Sequence, residues 1–199
     1  MTISKHTALV VIDAQEGIKE ELHWGGNRNN PEAENNISTL LHHWRNAHLP
    51  VIVVQHCSAS SNSPFRPDRP GNKLMDFVKL RSGEKLIQKS TASALIKTDL
   101  YRYIEQEKID ALIVTGFVTN NSVEATARNA GDSGINTTVV SDATACFDKL
   151  IMNGTKFKSD DVHQLSLANL KDEYASVKTT EEILAALKSK TQNLKPTIE

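Results

Sequence analysis

The sequence predicts a doubly wound α/β fold of three layers, a mostly parallel six-stranded sheet with helices on both faces. Three observations carry that prediction. Short apolar runs rich in β-branched residues recur along the chain, stretches of helical periodicity follow them, and clusters of Gly, Pro, Asn and Ser separate the two. A strand that reads as a continuous apolar run rather than an alternating one is buried on both faces, as the strands of a parallel sheet are.

Taken in order, residues 8–12 (Ala-Leu-Val-Val-Ile) form the first strand and residues 31–48 a helix, with Pro31 in its first turn and Ile37, Leu40, Leu41 and Trp44 on one face. Residues 51–54 are a second strand. Residues 57–83 carry so much Ser, Pro, Asn and Gly that they read as one long loop, a length usually tied to function. A third strand spans 85–88, and a helix capped by Thr98 spans 98–108. A fourth strand at 111–115 leads to a helix over 121–132, closed by Gly134. A fifth strand covers 136–140, a helix capped by Asp160 or Ser159 runs to Tyr174, a short sixth strand covers 175–178, and a last helix spans 180–188. Right-handed crossovers would wind this alternation into a Rossmann-like sheet. Residues 1–190 form one domain in this reading and 191–199 a polar C-terminal tail.

Composition narrows the function. The 199 residues suffice for one sizeable core. With 23 basic against 24 acidic residues, net charge −1, the chain lacks the basic excess of a nucleic-acid or membrane-surface binder. Apolar content is 39%, and no apolar run approaches the roughly 20 residues that span a bilayer. The polar start, residues 1–7, does not read as a signal peptide, and two cysteines do not make a disulfide framework, so the expected compartment is the cytoplasm.

In such sheets reactive groups gather at the carboxyl ends of the strands. That rule singles out Asp13, His56, Lys89 and residues 116–122. A carboxylate at the Asp13 position is half desolvated and suited to acid or base work, though a cap or turn residue fits the position equally. Lys89 could pair with Asp13 or steady developing negative charge; a solvated surface lysine is the plainer alternative. Ser122 falls at a strand-to-helix turn, beside the free amides of a helix N-terminus, where serine is also an ordinary residue. His56 either lines the cleft or holds a loop, and one histidine does not make a metal site of three or four ligands, so no metal is expected. Arg66 and Arg69 in the long loop could grip a carboxylate in bidentate fashion, or be solvated; Asp68 beside them completes no ligand set. Phe65 and Phe117 could wall a pocket, and Phe117 suits the core as well. Cys146, after the fifth strand, could approach the cleft; it and Cys57 read first as passive small residues.

Together these segments resemble the isochorismatase-like, or cysteine hydrolase, superfamily across nearly the whole chain. Val10-Val-Ile-Asp-Ala-Gln15 looks like the first motif of that family and Glu84-Lys-Leu-Ile-Gln-Lys89 like the second. Gly116-Phe-Val-Thr-Asn-Asn-Ser-Val-Glu-Ala-Thr-Ala-Arg128 is similar to the third and most specific one. Asp142-Ala-Thr-Ala145 and Val162-His-Gln-Leu-Ser-Leu-Ala168 fit too, with His163 in a structural role. Arg28-Asn-Asn-Pro-Glu-Ala-Glu34, Ser63-Pro-Phe-Arg66 and Ser93-Ala-Leu-Ile-Lys-Thr-Asp-Leu100 look like its small-hydrolase branch rather than nicotinamidases.

The resemblance implies Asp13 as acid or base with Lys89 as its partner. It also implies a non-proline cis peptide between Phe117 and Val118, an oxyanion hole from the amides of Val118 and Ser122, and tentative substrate contacts at Gln15, His56, Phe65, Arg66 and Thr119. It implies no cofactor, a small-molecule substrate, and assembly as a homodimer or homotetramer. The family's nucleophilic cysteine falls on Ser122. A thiol is readily made a thiolate beside a lysine and a helix N-terminus, whereas a hydroxyl needs a general base. Four readings follow: acid catalysis of enol-ether hydrolysis by Asp13 without a nucleophile, a serine nucleophile on an activated amide or ester, a non-catalytic binding protein, or a serine introduced to trap substrate. The expected activity is hydrolysis of a small anionic or amide-bearing metabolite.

Overall fold

The computed structural model describes residues 2–193. The chain forms β1 (Thr7–Ile12), the single turn α1 (Glu21–Trp24), α2 (Ala33–Asn46), β2 (Val51–His56), β3 (Lys85–Lys89), α3 (Leu100–Gln106), β4 (Ala111–Phe117), α4 (Glu124–Asp132), β5 (Asn136–Ala145), the short β6 (Lys149–Leu150) and β7 (Lys156–Phe157), α5 (Ser159–Leu170), β8 (Ser176–Lys178) and α6 (Thr180–Asn193). Six strands make one sheet in the order β3-β2-β1-β4-β5-β8, and each neighbouring pair runs parallel. The predicted architecture is therefore the observed one. From β1 the chain steps outward to β3, then returns to the other side of β1 to lay down β4. That reversal opens a crevice at the carboxyl ends of β1 and β4, where α/β sheets bind their ligands.

Continuous apolar strands feed two cores, one on each face. Leu9, Val11, Val51, Val53 and Ile113 meet Ile37, Leu40, Leu41 and Trp44 of α2 and Ile183 of α6. The alternate residues Ala8, Val10, Ile12, Ile52, Val54, Leu112 and Val114 meet Leu100 and Ile104 of α3, Ala127 and Ala130 of α4, and Leu167 and Leu170 of α5. The period of two along each strand assigns successive side chains to opposite layers. Trp44 is fully buried and satisfies its indole by donating to the Thr7 carbonyl at 3.1 Å. No helix among the described residues is long and apolar enough to cross a membrane.

Several boundaries differ from the sequence expectation for identifiable reasons. α2 begins at Ala33 because residues 30–33 close a turn, Ala33 N–H to Asn30 O at 3.0 Å, so Pro31 precedes the helix. α3 begins at Leu100; the Thr98 hydroxyl accepts from the Leu100 amide but also donates to the Ala94 carbonyl, belonging to the turn before the helix. Residues 119–123 wind as one wide π turn before α4 starts at Glu124. β5 runs to Ala145, since a register shift against β4 between Val114 and Gly116 lets pairing resume at Thr144. α5 ends at Leu170, ahead of the left-handed Asp172. Residues 57–83 hold two short 3-10 turns at Pro70–Asn72 and Asp76–Val78. The β6–β7 hairpin was not foreseen, its residues being mostly exposed and without a core-facing pattern. α6 reaches Asn193, into the expected tail; residues 194–199 lie outside the described residues.

Neither Ser159 nor Asp160 caps α5 with its side chain; Asp148 does so from a distance. Its carboxylate accepts the Ser159 amide at 2.9 Å, Asn27 Nδ2 at 2.8 Å and Lys156 Nζ at 2.7 Å. The hydrogen bonds from Lys156 and Asn27 hold its pKa down at about 2. A carboxyl group lowered on folding adds stability that is full above its unfolded value near 3.9 and lost as pH falls through its folded value. The melting temperature of Asp148→Asn should therefore lie below that of the parent at neutral pH, and thermal melts across the acid range should show the gap closing between about pH 5 and pH 2. At Gly116, φ is +111° and an added Cβ would sit 2.0 Å from the Ile12 carbonyl oxygen. Gly116→Ala should cost about 3 kcal/mol, read as a lower urea midpoint.

Candidate active site

Asp13 is the first residue beyond β1. Its backbone is left-handed, φ 49°, a conformation aspartate adopts more readily than most residues, and its amide donates to Val54 O at 3.0 Å. The turn drives its side chain into the protein at the head of the crevice, where it is 1% exposed. Lys89 closes β3, two strands away, and its buried Nζ lies 2.8 Å from Asp13 Oδ2. The same nitrogen lies 3.0 Å from His56 Nδ1, 3.1 Å from the Thr91 carbonyl and 3.1 Å from Ser122 Oγ. The second carboxylate oxygen, Asp13 Oδ1, is buried and has no hydrogen-bond partner. Such an oxygen is costly to bury, and it is an acceptor in waiting.

Ser122 sits in the π turn between β4 and α4 and is 5% exposed. The turn is pinned from below: the Thr126 hydroxyl donates to the Ser122 carbonyl at 2.7 Å and accepts the Ala94 amide at 3.0 Å. The Phe117–Val118 peptide bond is cis, at the place the resemblance assigns it. Above Asp13 and Ser122 opens a cleft of about 250 Å³. Its walls include Trp24, Phe65 and Phe117, with His23 and His56 and the serines Ser58, Ser60 and Ser63. Trp24 is held by its indole, which donates to Gly17 O at 2.8 Å, and its ring packs 5.0 Å from that of Phe65.

The structure thus brings Asp13, Lys89, Ser122 and His56 into contact and places Phe65, Phe117 and Val118 on the cleft wall. Three expected substrate contacts are elsewhere. Gln15 is fully buried and spends its amide on the backbone of His56 and Asn72. Thr119 is fully buried, 2.9 Å from His163 Nδ1. Arg66 lies on the exposed face of its loop, paired with Asp68 at 2.8 Å, because the nearer carboxylate captures the guanidinium. Arg69 bonds the carbonyls of Ser61 and Asn62. Cys146 does not reach the cleft: it is fully buried, donates to Ser159 O, and burial pushes its thiol up to about 12. Cys57 is half-buried, its amide held by Lys89 O. His163 is buried beside Thr119, and burial lowers its pKa. His23, Trp24 and the three loop serines also line the cleft without belonging to the predicted set. A tryptophan in a long segment after a strand's carboxyl end was the available signal for Trp24. The serines were lost in a loop rich in them.

Among the described residues, no group of three or more His, Cys, Asp or Glu side chains is placed to share a metal ion. Comparison with known proteins matches residues 7–182 to the isochorismatase domain. The uncharacterized isochorismatase family protein YrdC of Bacillus subtilis is 36% identical over 89% of this chain and 94% of its own length. Nicotinamidase 3 of Arabidopsis thaliana is 26% identical over 84% of this chain and 81% of its own. Among solved structures, a member of the isochorismatase family from Chromobacterium violaceum superposes with a TM-score of 0.89 at 39% identity, covering 95% of this chain and 97% of that one.

Breaking a buried ion pair on one side strands a charge. Lys89→Met should therefore destabilise the fold by about 3–5 kcal/mol, and the double variant Asp13→Asn, Lys89→Met should recover much of that loss in urea titrations.

Proposed function

The chain belongs to the isochorismatase family of hydrolases, and from that premise we propose that it cleaves a small uncharged carbonyl compound, an ester or amide, with Ser122 as nucleophile. One observation carries the reading: Lys89 Nζ joins Asp13 Oδ2 and Ser122 Oγ at the floor of the cleft, while Asp13 Oδ1 waits without a partner. Serine stands where the family resemblance puts a cysteine. A hydroxyl needs a base during attack, and an ion-paired Asp13 is set up to accept its proton.

In this mechanism Ser122 Oγ bonds to the carbonyl carbon as its proton passes to Asp13. Charge gathering on the carbonyl oxygen is met by the amides of Val118 and Ser122, and Lys89 steadies the site electrostatically. Asp13 returns the proton to the departing amine or alkoxide, and then activates a water to free the acyl group. The uncharged substrate follows from the walls. The arginines expected to grip a carboxylate are tied up outside the cleft, and the only ammonium at its floor already has four neighbours. Flat aromatic walls suit a planar group. A nicotinamidase among the relatives makes small amides a natural first class to try.

The test is a panel of small esters, primary amides and enol ethers, offered to the parent protein, Ser122→Ala, Ser122→Cys and Asp13→Ala. Neutral esters or amides should be hydrolysed by the parent and not by Ser122→Ala. Asp13→Ala should lower kcat/KM by about 10²–10⁴-fold, and Ser122→Cys should gain on amides. Turnover of an enol ether that survives Ser122→Ala and dies with Asp13→Ala would replace this mechanism with acid catalysis.

A further inference from the structure

We propose that His56 is a positioning residue. By accepting the third hydrogen of the Lys89 ammonium, it leaves the Ser122 oxygen free to attack. The inference rests on Ser122 being the nucleophile, as proposed above, and adds what controls it.

An ammonium carries three hydrogens and no lone pair. Lys89 Nζ has four neighbours within hydrogen-bond distance, so one of them goes without. Two can only accept: the Asp13 carboxylate at 2.8 Å and the Thr91 carbonyl at 3.1 Å. The third hydrogen is contested between His56 Nδ1 at 3.0 Å and Ser122 Oγ at 3.1 Å. If Nδ1 is bare and the ring proton sits on Nε2, the histidine takes that hydrogen. Ser122 Oγ then keeps both lone pairs free of the ammonium, and Asp13 Oδ1, with no partner of its own, remains available to take a proton. If the proton sat on Nδ1, two N–H groups would face each other across 3.0 Å. The ammonium would turn its third hydrogen onto Ser122 Oγ, tying up one of its two lone pairs and drawing electron density from the oxygen that must attack.

The surroundings of His56 fit a group held for one purpose. Its amide donates to Gln15 Oε1 at 2.7 Å, and its carbonyl accepts Gln15 Nε2 at 3.0 Å and Asn72 Nδ2 at 2.9 Å. The backbone at the end of β2 is clamped on both sides, which gives the buried Gln15 its role. The ring leans on Phe65, 5.8 Å between centroids. The charged groups facing it are Lys89 from β3 and the carboxylate of Asp13, 3.6 Å from Nδ1. With Nδ1 turned to Lys89, Nε2 is left for the cleft side.

Two measurements test this on the full chain. Long-range proton–nitrogen NMR of protein labelled with ¹⁵N-histidine, with the ring assigned by its loss in His56→Asn, should show Nδ1 unprotonated and Nε2 protonated at neutral pH. Acylation by p-nitrophenyl acetate should slow about tenfold or more in His56→Leu, the worth of a hydrogen bond to a charged group, with the loss in kcat rather than KM. His56→Asn should recover most of that rate, because its side-chain oxygen can accept near the place of Nδ1. A proton on Nδ1, or His56→Leu acylating as fast as the parent, overturns the proposal. Ser122→Ala separates the two levels. If that variant is acylated as fast as the parent, the serine mechanism fails and this inference with it; if it is inert while His56→Leu is unimpaired, only the role of His56 falls.

Discussion

A lysine ammonium buried at the meeting of three strand ends is the constraint around which the rest of this molecule is arranged. Lys89 lies at the carboxyl end of β3, and its charge is matched by Asp13 beyond β1, two strands away. Removing both charges from water is expensive, and their attraction offsets the cost only where geometry is good and the remaining hydrogen-bonding capacity is met. The parallel register supplies the geometry by bringing the ends of β1, β2 and β3 level, His56 opposite Lys89 and Val54 opposite Ile12. The Thr91 carbonyl, His56 and Ser122 supply the rest. A pair this costly contributes little as a fold stabiliser, and it lies directly beneath the cleft.

A set of polar side chains surrounds that centre, each lashing one loop to another. Gln15 and Asn72 bind the end of β2 and the long loop, Asn72 donating to the carbonyls of His56 and Phe65. Asn30 holds the segment before α2 against the far end of β5, through the carbonyls of Ser141 and Thr144. Asp142 reaches α6, accepting both the amide and the hydroxyl of Thr180. Gln15, Asn30 and Asp142 lie in the short motifs by which the family is recognisable. Their physical work is to satisfy backbone groups in loops that would otherwise be buried without partners. The cleft wall at Phe65 is tied to this lacing through Asn72.

The legible parts of the sequence were those set by short-range patterns. Continuous apolar runs announced the strands at 8–12, 51–54 and 111–115, and the rule that ligands sit at strand ends pointed to Asp13, His56 and Lys89. Illegible were contacts between residues distant in sequence with no periodic trace. Arg66 escaped for a local reason: an arginine in a loop reads as an anion gripper, yet Asp68 two residues on captures it. Gln15 and Thr119 belong to recognisable motifs, but whether a polar side chain faces a cleft or a neighbouring loop depends on where that loop comes to rest. The α5 cap was sought within the helix itself and comes from Asp148, 11 residues upstream.

From the sequence alone came the layers, the parallel sheet, the family and the identities of a carboxylate, a lysine and a serine at strand ends. The layers, the sheet and the strand-end positions follow from hydrophobic periodicity and local turn chemistry, which act within a few residues, whereas the family rests on the resemblance of its motifs. The tertiary structure alone decided that one ammonium faces four partners, that one carboxylate oxygen is left bare, and that the arginines turn away from the cleft. Hydrogen-bond geometry is settled over tenths of an ångström between strands far apart in the chain, and only the packed sheet brings their ends to those distances.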